Sequence, residues 1–232
     1  MELPLWLVAS FWGFVSGSAL LLGALVAYFK KVPKWLTALI MAFGSGVLIA
    51  ALAFELMEEA YRSGGFDAAA VGFISGALLY SGANYLLNER GARHRKRSAG
   101  LQANERDSPG GVSLLHGGAV SRAAVVAIFL SNVPEALSST AGMKRAGRSA
   151  RFIFGIWGAI AVLSGVAALV GYAVFRNFPP DIIAGTIAVA AGGILAMLSS
   201  TMIPEAYEEA HDLVGIVTVI GFLTAFILSK TE

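Results

Sequence analysis

The chain has no cysteine and only three histidines among its 232 residues. The first absence excludes a disulfide framework, a thiolate metal centre and a thiol redox centre. Charge is also scarce. Charged residues make up 14% of the chain, against about 25% in an average soluble domain. The formal net charge is only +2, although the pI is near 9.0. Such a balance excludes a disordered chain, a coiled coil and a basic domain that binds nucleic acid. There is no HExxH motif and no pair of aspartates deep in an apolar run. No histidine lies within such a run to activate a serine. An enzyme is therefore not expected. What the chain has in quantity is apolar surface: 56% of its residues are hydrophobic, and the mean hydropathy is +0.71.

A helix needs roughly 20 apolar residues to span a bilayer. Uncharged runs fall at Leu3–Phe29, Trp35–Phe54, Ala68–Asn88, Ala123–Pro134, Phe152–Phe175, Ile182–Pro204 and Leu213–Ser229. Two extend as apolar-faced segments that carry acids, Trp35–Met57 and Ala119–Met143. The runs are continuous rather than alternating, which argues against barrel strands. The expected fold is all-α, a polytopic transmembrane bundle of seven apparent helices. Met1-Glu2-Leu3-Pro4 lacks a basic stretch, so the first run reads as a retained helix, not a removed signal. Gly13-xxx-Gly17 and Gly72-xxx-Gly76 have the spacing that lets helices approach closely in lipid.

Lysine and arginine mark cytoplasmic loops. They cluster at Lys30, Lys31 and Lys34, again from Arg90 to Arg106, and again at Lys144, Arg145, Arg148 and Arg151. All three loops share one side only if Ser108–Met143 crosses the membrane an even number of times. The stretch Glu89–Asp107 is polar and reads as a cytoplasmic linker. Its cluster Arg93, Arg95, Lys96 and Arg97 is suited to an orientation signal or to anionic lipid headgroups.

Two segments echo each other. Gly46-Val-Leu-Ile precedes Glu58-Glu59-Ala60-Tyr61, and Gly193-Ile-Leu-Ala precedes Pro204-Glu205-Ala206-Tyr207. Each belongs to the second of three runs. Under the even-crossing arrangement the two run oppositely, which gives an inverted 3+3 repeat around a central element. The expected organisation is residues 1–88 as the first repeat of three helices and 89–118 as a basic linker and irregular segment. Residues 119–143 form the central helix, and 144–232 form the second repeat.

A charged side chain at mid-membrane costs about 2.5–3.5 kcal/mol on insertion scales and is functional by default. The sharpest case is Glu135, in Ser131-Asn132-Val133-Pro134-Glu135-Ala136-Leu137-Ser138-Ser139-Thr140. Ser131 and Asn132 lie four and three residues before it, and Ser138 and Ser139 continue that helix face. Pro134 frees a backbone carbonyl one turn earlier. Carboxylate, amide oxygen, hydroxyls and carbonyl are oxygen donors for a hard or borderline cation. Two acidic stripes stand at the ends of other runs. Glu55, Glu58, Glu59 and Arg62 close the second, and Thr201, Glu205, Glu208, Glu209 and Asp212 close the sixth beside His211. In the inverted arrangement they face opposite sides, as an entrance and an exit for a cation would. Solvated helix ends would look the same for Glu59, Glu208, Glu209 and Asp212.

These residues resemble the ZIP family of divalent metal transporters. Ala42-Phe43-Gly44-Ser45-Gly46 leading to Glu55 resembles the family's second helix. Ser131-Asn132-Val133-Pro134-Glu135 resembles its His-Asn-x-Pro-Glu-Gly metal motif in the fifth helix. Ser199–Glu209, with Met202-Ile203-Pro204-Glu205-Ala206, resembles its seventh. The resemblance implies eight helices, both termini outside, an inverted repeat, and transport of a divalent metal such as zinc by alternating access. The chain departs from the pattern at three points. Ser131 stands where the family has histidine, and Ala136 where it has glycine. The fourth helix, with a second Pro-Glu motif, has no counterpart, since Ser108–Val120 offers His116 but no carboxylate.

Asn132 and Glu135 therefore carry over as metal ligands, with Ser131 at the third position. Glu55, Glu58, Glu205, Glu208 and Thr201 are pathway residues. No resident cofactor is expected, and the divalent cation is cargo. The expected partners are the lipid bilayer, the cation and a second copy in a homodimer, with no nucleic acid. The expected location is a prokaryotic plasma (inner) membrane. The alternative reading is a degenerate ZIP relative that no longer transports and serves as a membrane interaction or regulatory subunit.

Overall fold

The computed structural model describes residues 4–87, 122–175 and 177–231. The helices are α1 (Leu5–Phe29), α2 (Lys34–Ala51), α3 (Met57–Leu87), α4 (Arg122–Arg145), α5 (Ala150–Phe175), α6 (Pro180–Met197), α7 (Ile203–Ala210) and α8 (Leu213–Thr231). A π-helical turn at Leu52–Leu56 joins α2 to α3, and another at Leu198–Met202 joins α6 to α7. Among the described residues this makes six continuous helical stretches and no strand.

The sequence leads one to expect seven. The difference lies at Glu58–Ala68, where the polar residues suggest a loop and the chain stays helical. Gly65, at φ 72° and ψ −175°, is the one break. That region is open to glycine and to little else. A helix from Lys34 to Leu86 would have 53 residues, about 80 Å at 1.5 Å per residue, far beyond the ~30 Å of a bilayer core. Gly65 turns it into two arms.

Local chemistry sets the other boundaries. Pro4, Pro33 and Pro179 precede α1, α2 and α6. Pro180 sits in the first turn of α6, where a missing N–H costs nothing. The Ser149 hydroxyl accepts the Phe152 N–H at 3.3 Å and caps α5. The central helix α4 ends at Arg145, two residues past the expected 143, and the expected start at 119 lies outside the described residues. The linker expected at 89–118 lies outside the described residues.

Five of the stretches are long and apolar enough to cross a membrane: Leu5–Phe29, Lys34–Leu86, Ala150–Phe175, Pro180–Ala210 and Leu213–Lys230. Phe29, Phe66, Val71, Leu78 and Ile216 lie open on the outside of the bundle. Such a surface fits a hydrocarbon solvent and no aqueous one. The chain is an α-helical integral membrane protein.

Small residues set the helix pairing. A Cβ on Gly13 would stand 2.6 Å from Ala168 Cβ, and one on Gly17 would stand 2.9 Å from Ala161 Cα, so α1 and α5 run antiparallel. A Cβ on Gly192 would overlap the carbonyl oxygen of Phe73, and one on Gly76 that of Val189. Gly64 against Ala184, Gly72 against Ala188 and Tyr80 against Thr201 show that the two helices run parallel. The α2–α8 pair is built in the same way. A Cβ on Gly46 would overlap the carbonyl oxygen of Thr218, and one on Gly221 that of Phe43. Close backbone approach of this kind replaces the hydrophobic effect as the packing force between helices in lipid.

Helix α4 runs parallel to α1. Asn132 Nδ2 donates to Ser16 O at 3.0 Å, a Cβ on Gly23 would stand 2.9 Å from Ala136 Cβ, and Lys144 Nζ donates to Tyr28 O. One end of the bundle therefore gathers Lys30, Lys31, Lys34, Lys144, Arg145 and Arg148. Lys34 meets Glu209 there at 2.6 Å. The other end holds Leu5, Gly65 and Asp181. With α3 parallel to α6 and α4 parallel to α1, Leu87 lies toward the basic end and Arg122 toward the opposite one.

Candidate functional site

Helix α4 carries the candidate ligands; α1 and α2 pack along it, and α5 ties it near its C-terminal end. Trp157 Nε1 of α5 donates to Thr140 Oγ1 at 2.8 Å. Asn132 ties the helix to α1 through Ser16. Ala136, fully buried, packs with Leu20, Ala24, Met143, Ile153 and Trp157. Pro134 stands inside the helix. It has no N–H to offer the carbonyl one turn earlier, at Leu130, which leaves an oxygen donor at the level of the motif.

The motif side chains divide into committed and available groups. The Asn132 amide nitrogen is used on Ser16 O, so its Oδ1 is the atom left for a cation. Ser131 is 5% exposed, and its hydroxyl donates to Ile128 O at 2.9 Å. This back-bond fills the hydroxyl proton and fits a structural serine at the position expected for a ligand. Glu135 is half-buried on the same helix face as Ser138.

The acidic stripe expected at Thr201–Glu209 does not stay on one face. Thr201 Oγ1 pairs with Tyr80 OH of α3 at 3.0 Å. Ser138 Oγ of α4 donates to Glu205 Oε1 at 2.7 Å. Glu209 meets Lys34 of α2. The π-turn at Leu198–Met202 is the cause. It inserts one residue into the helical register and so rotates α7 by about 100° against a regular continuation of α6. Glu205 thus belongs with α4 rather than with an exposed mouth. Glu208, His211 and Asp212 are exposed at the basic end. Tyr207 and His211 make an edge-on ring contact at 6.0 Å.

At the other end, Glu55 lies half-buried within the Leu52–Leu56 π-turn. Glu58 is exposed and bound to Arg62 at 2.7 Å. An exposed pair of this kind contributes little to stability. Among the described residues, no three His, Cys, Asp or Glu side chains gather closely enough to hold a metal ion. His116 lies outside the described residues.

Sequence reasoning missed Ser138 as the partner of Glu205, and Tyr80 as the partner of Thr201. Only Pro204, just after the π-turn, hints that the helix is irregular there. No family model and no curated protein matches the chain.

Proposed function

We propose that this protein is a ZIP-like carrier of divalent cations, zinc or a similar metal, that works by alternating access around Glu135. The observation that carries the reading is the state of the α4 motif. Asn132 is anchored through its nitrogen, which leaves its oxygen available. Glu135 sits half-buried beside Pro134 in a helix packed against α1 and α2. An intramembrane carboxylate placed among oxygen donors is what a hard or borderline cation requires.

The reading is further supported by chain direction. Leu87 and Arg122 lie toward opposite ends of the bundle. An even number of crossings before Met143 would give this, and it puts the loops at Lys30–Lys34 and Lys144–Arg151 together. The inverted repeat in this reading draws support from paired details. One sequence offset carries Gly46 to Gly192, the π-turn at Leu52 to that at Leu198, and Gly65 to His211, which also has positive φ. The α2–α8 contacts match the α6–α3 contacts with that offset from α2 to α6 and one residue less from α3 to α8, and the antiparallel α1–α5 pair maps onto itself. The two acidic ends then lie at opposite faces, as alternating access needs.

The lack of a three-ligand cluster among the described residues favours a second reading, a ZIP relative that has lost transport. Binding tests the site on which the first reading rests. Purified protein is expected to bind a divalent cation, zinc or manganese, and Glu135→Gln to abolish it. No binding by wild type at millimolar metal overturns the carrier and leaves the second reading.

A further inference from the structure

We infer that Glu205 supplies a second carboxylate to the cation site on α4, so that the cation is held between α4 and α7 by Glu135, Glu205 and Ser138. This rests on the carrier reading and adds a ligand from a different helix. The sequence alone places Glu205 at a mouth of the pathway.

Three observations lead here. First, Ser138 reaches Glu205 Oε1 at 2.7 Å. Ser138 is one turn from Glu135, and side chains three apart on a helix have Cβ atoms about 5–6 Å from each other. The two carboxylates are therefore within reach of one ion. Second, Glu205 has no Lys, Arg or His partner among the described residues; the ion pairs there are Lys34–Glu209 and Arg62–Glu58. Burying part of a carboxylate without a countercharge is costly, and a bound cation offsets that cost. Third, the aim of Glu205 is built into the backbone. The π-turn at Leu198–Met202 rotates α7, and Ala206, fully buried, seats it against Ala38, Met41, Ala42 and Val214.

The donor set is then two carboxylates and a hydroxyl. Two negative charges match a divalent ion, and an all-oxygen set suits manganese, magnesium or calcium at least as well as zinc. Ser138, rather than Ser131, is the serine of the site, because the Ser131 hydroxyl is turned back onto its own helix. Contact through α7 also gives the cation a direct hold on the helix that leads to the basic end.

The test is metal binding to the purified full-length protein in detergent, titrated with manganese and with zinc. Glu205→Gln is expected to weaken binding by more than about tenfold, since affinity in oxygen sites follows ligand charge. Glu205→Asp, which keeps the charge, is expected to recover most of the loss. Glu209→Gln, one turn further along α7, is expected to bind like wild type. If Glu135→Gln abolishes binding while Glu205→Gln binds within threefold of wild type, Glu205 is not a ligand and the carrier reading stands without it. If Glu205→Asp binds as poorly as Glu205→Gln, the carboxylate is not what matters and the inference fails. If wild type binds neither metal, the carrier reading itself has failed.

Discussion

The seat of α4 depends on one buried hydrogen bond, and its removal has a calculable cost. Thr140 is 0% exposed and Trp157 is 1% exposed. The indole N–H donates to the threonine hydroxyl at 2.8 Å. Thr140→Val keeps the shape of the side chain and removes the acceptor. The indole N–H is left buried with no substitute, and a buried unsatisfied donor costs about 1–3 kcal/mol. Hydrogen bonds between helices in membranes average about 0.6 kcal/mol and reach about 1.7. Full burial of both partners places this one near the upper figure, at about 1.5 kcal/mol. The assay is reversible unfolding in bicelles, run as a double-mutant cycle with Trp157→Phe so that packing losses cancel. A coupling energy of about 1 kcal/mol or more is expected. Additive single losses with no coupling would refute the claim that this bond holds α4 against α5.

Gly65→Ala forces a side chain into a region that glycine alone enters freely, and is expected to lower stability by about 1–3 kcal/mol; unchanged unfolding would mean that the break between the two arms is not fixed there. Single cysteines at Ser98 and Ser149 are expected to resist an impermeant thiol reagent in intact cells, while one at Asp67, exposed at the other end of the bundle, is expected to react. Labelling at Ser149 would reverse the orientation. A carboxylate must lose its proton to ligate, so wild-type metal affinity is expected to fall with falling pH. Titrations at several pH values check this.

The membrane class and the helix positions were legible because long uncharged runs leave few other folds. Lys30, Lys31 and Pro33 marked the first loop, and Pro179 the start of α6. The continuity of α3 through Arg62 was not legible. Its polar residues look like a loop, and only the backbone angle of Gly65 shows where the break falls. The π-turns leave no apolar period of their own, so Thr201, Glu205 and Glu209 read as one stripe although they meet α3, α4 and α2. The motif Asn132–Glu135 was legible from chemistry alone. Its partner Ser16 and the contact of Ser138 with Glu205 were not, since they depend on helix register set by contacts such as Gly23 against Ala136.

The central claim is movement of a cation through this bundle, and flux into sealed proteoliposomes measures it. Wild-type protein is expected to carry a divalent cation down its gradient well above empty vesicles, and Glu135→Gln, inserted to the same level, is expected to carry none. Binding without flux in wild type, or equal flux in the Glu135→Gln variant, would contradict a carrier centred on Glu135.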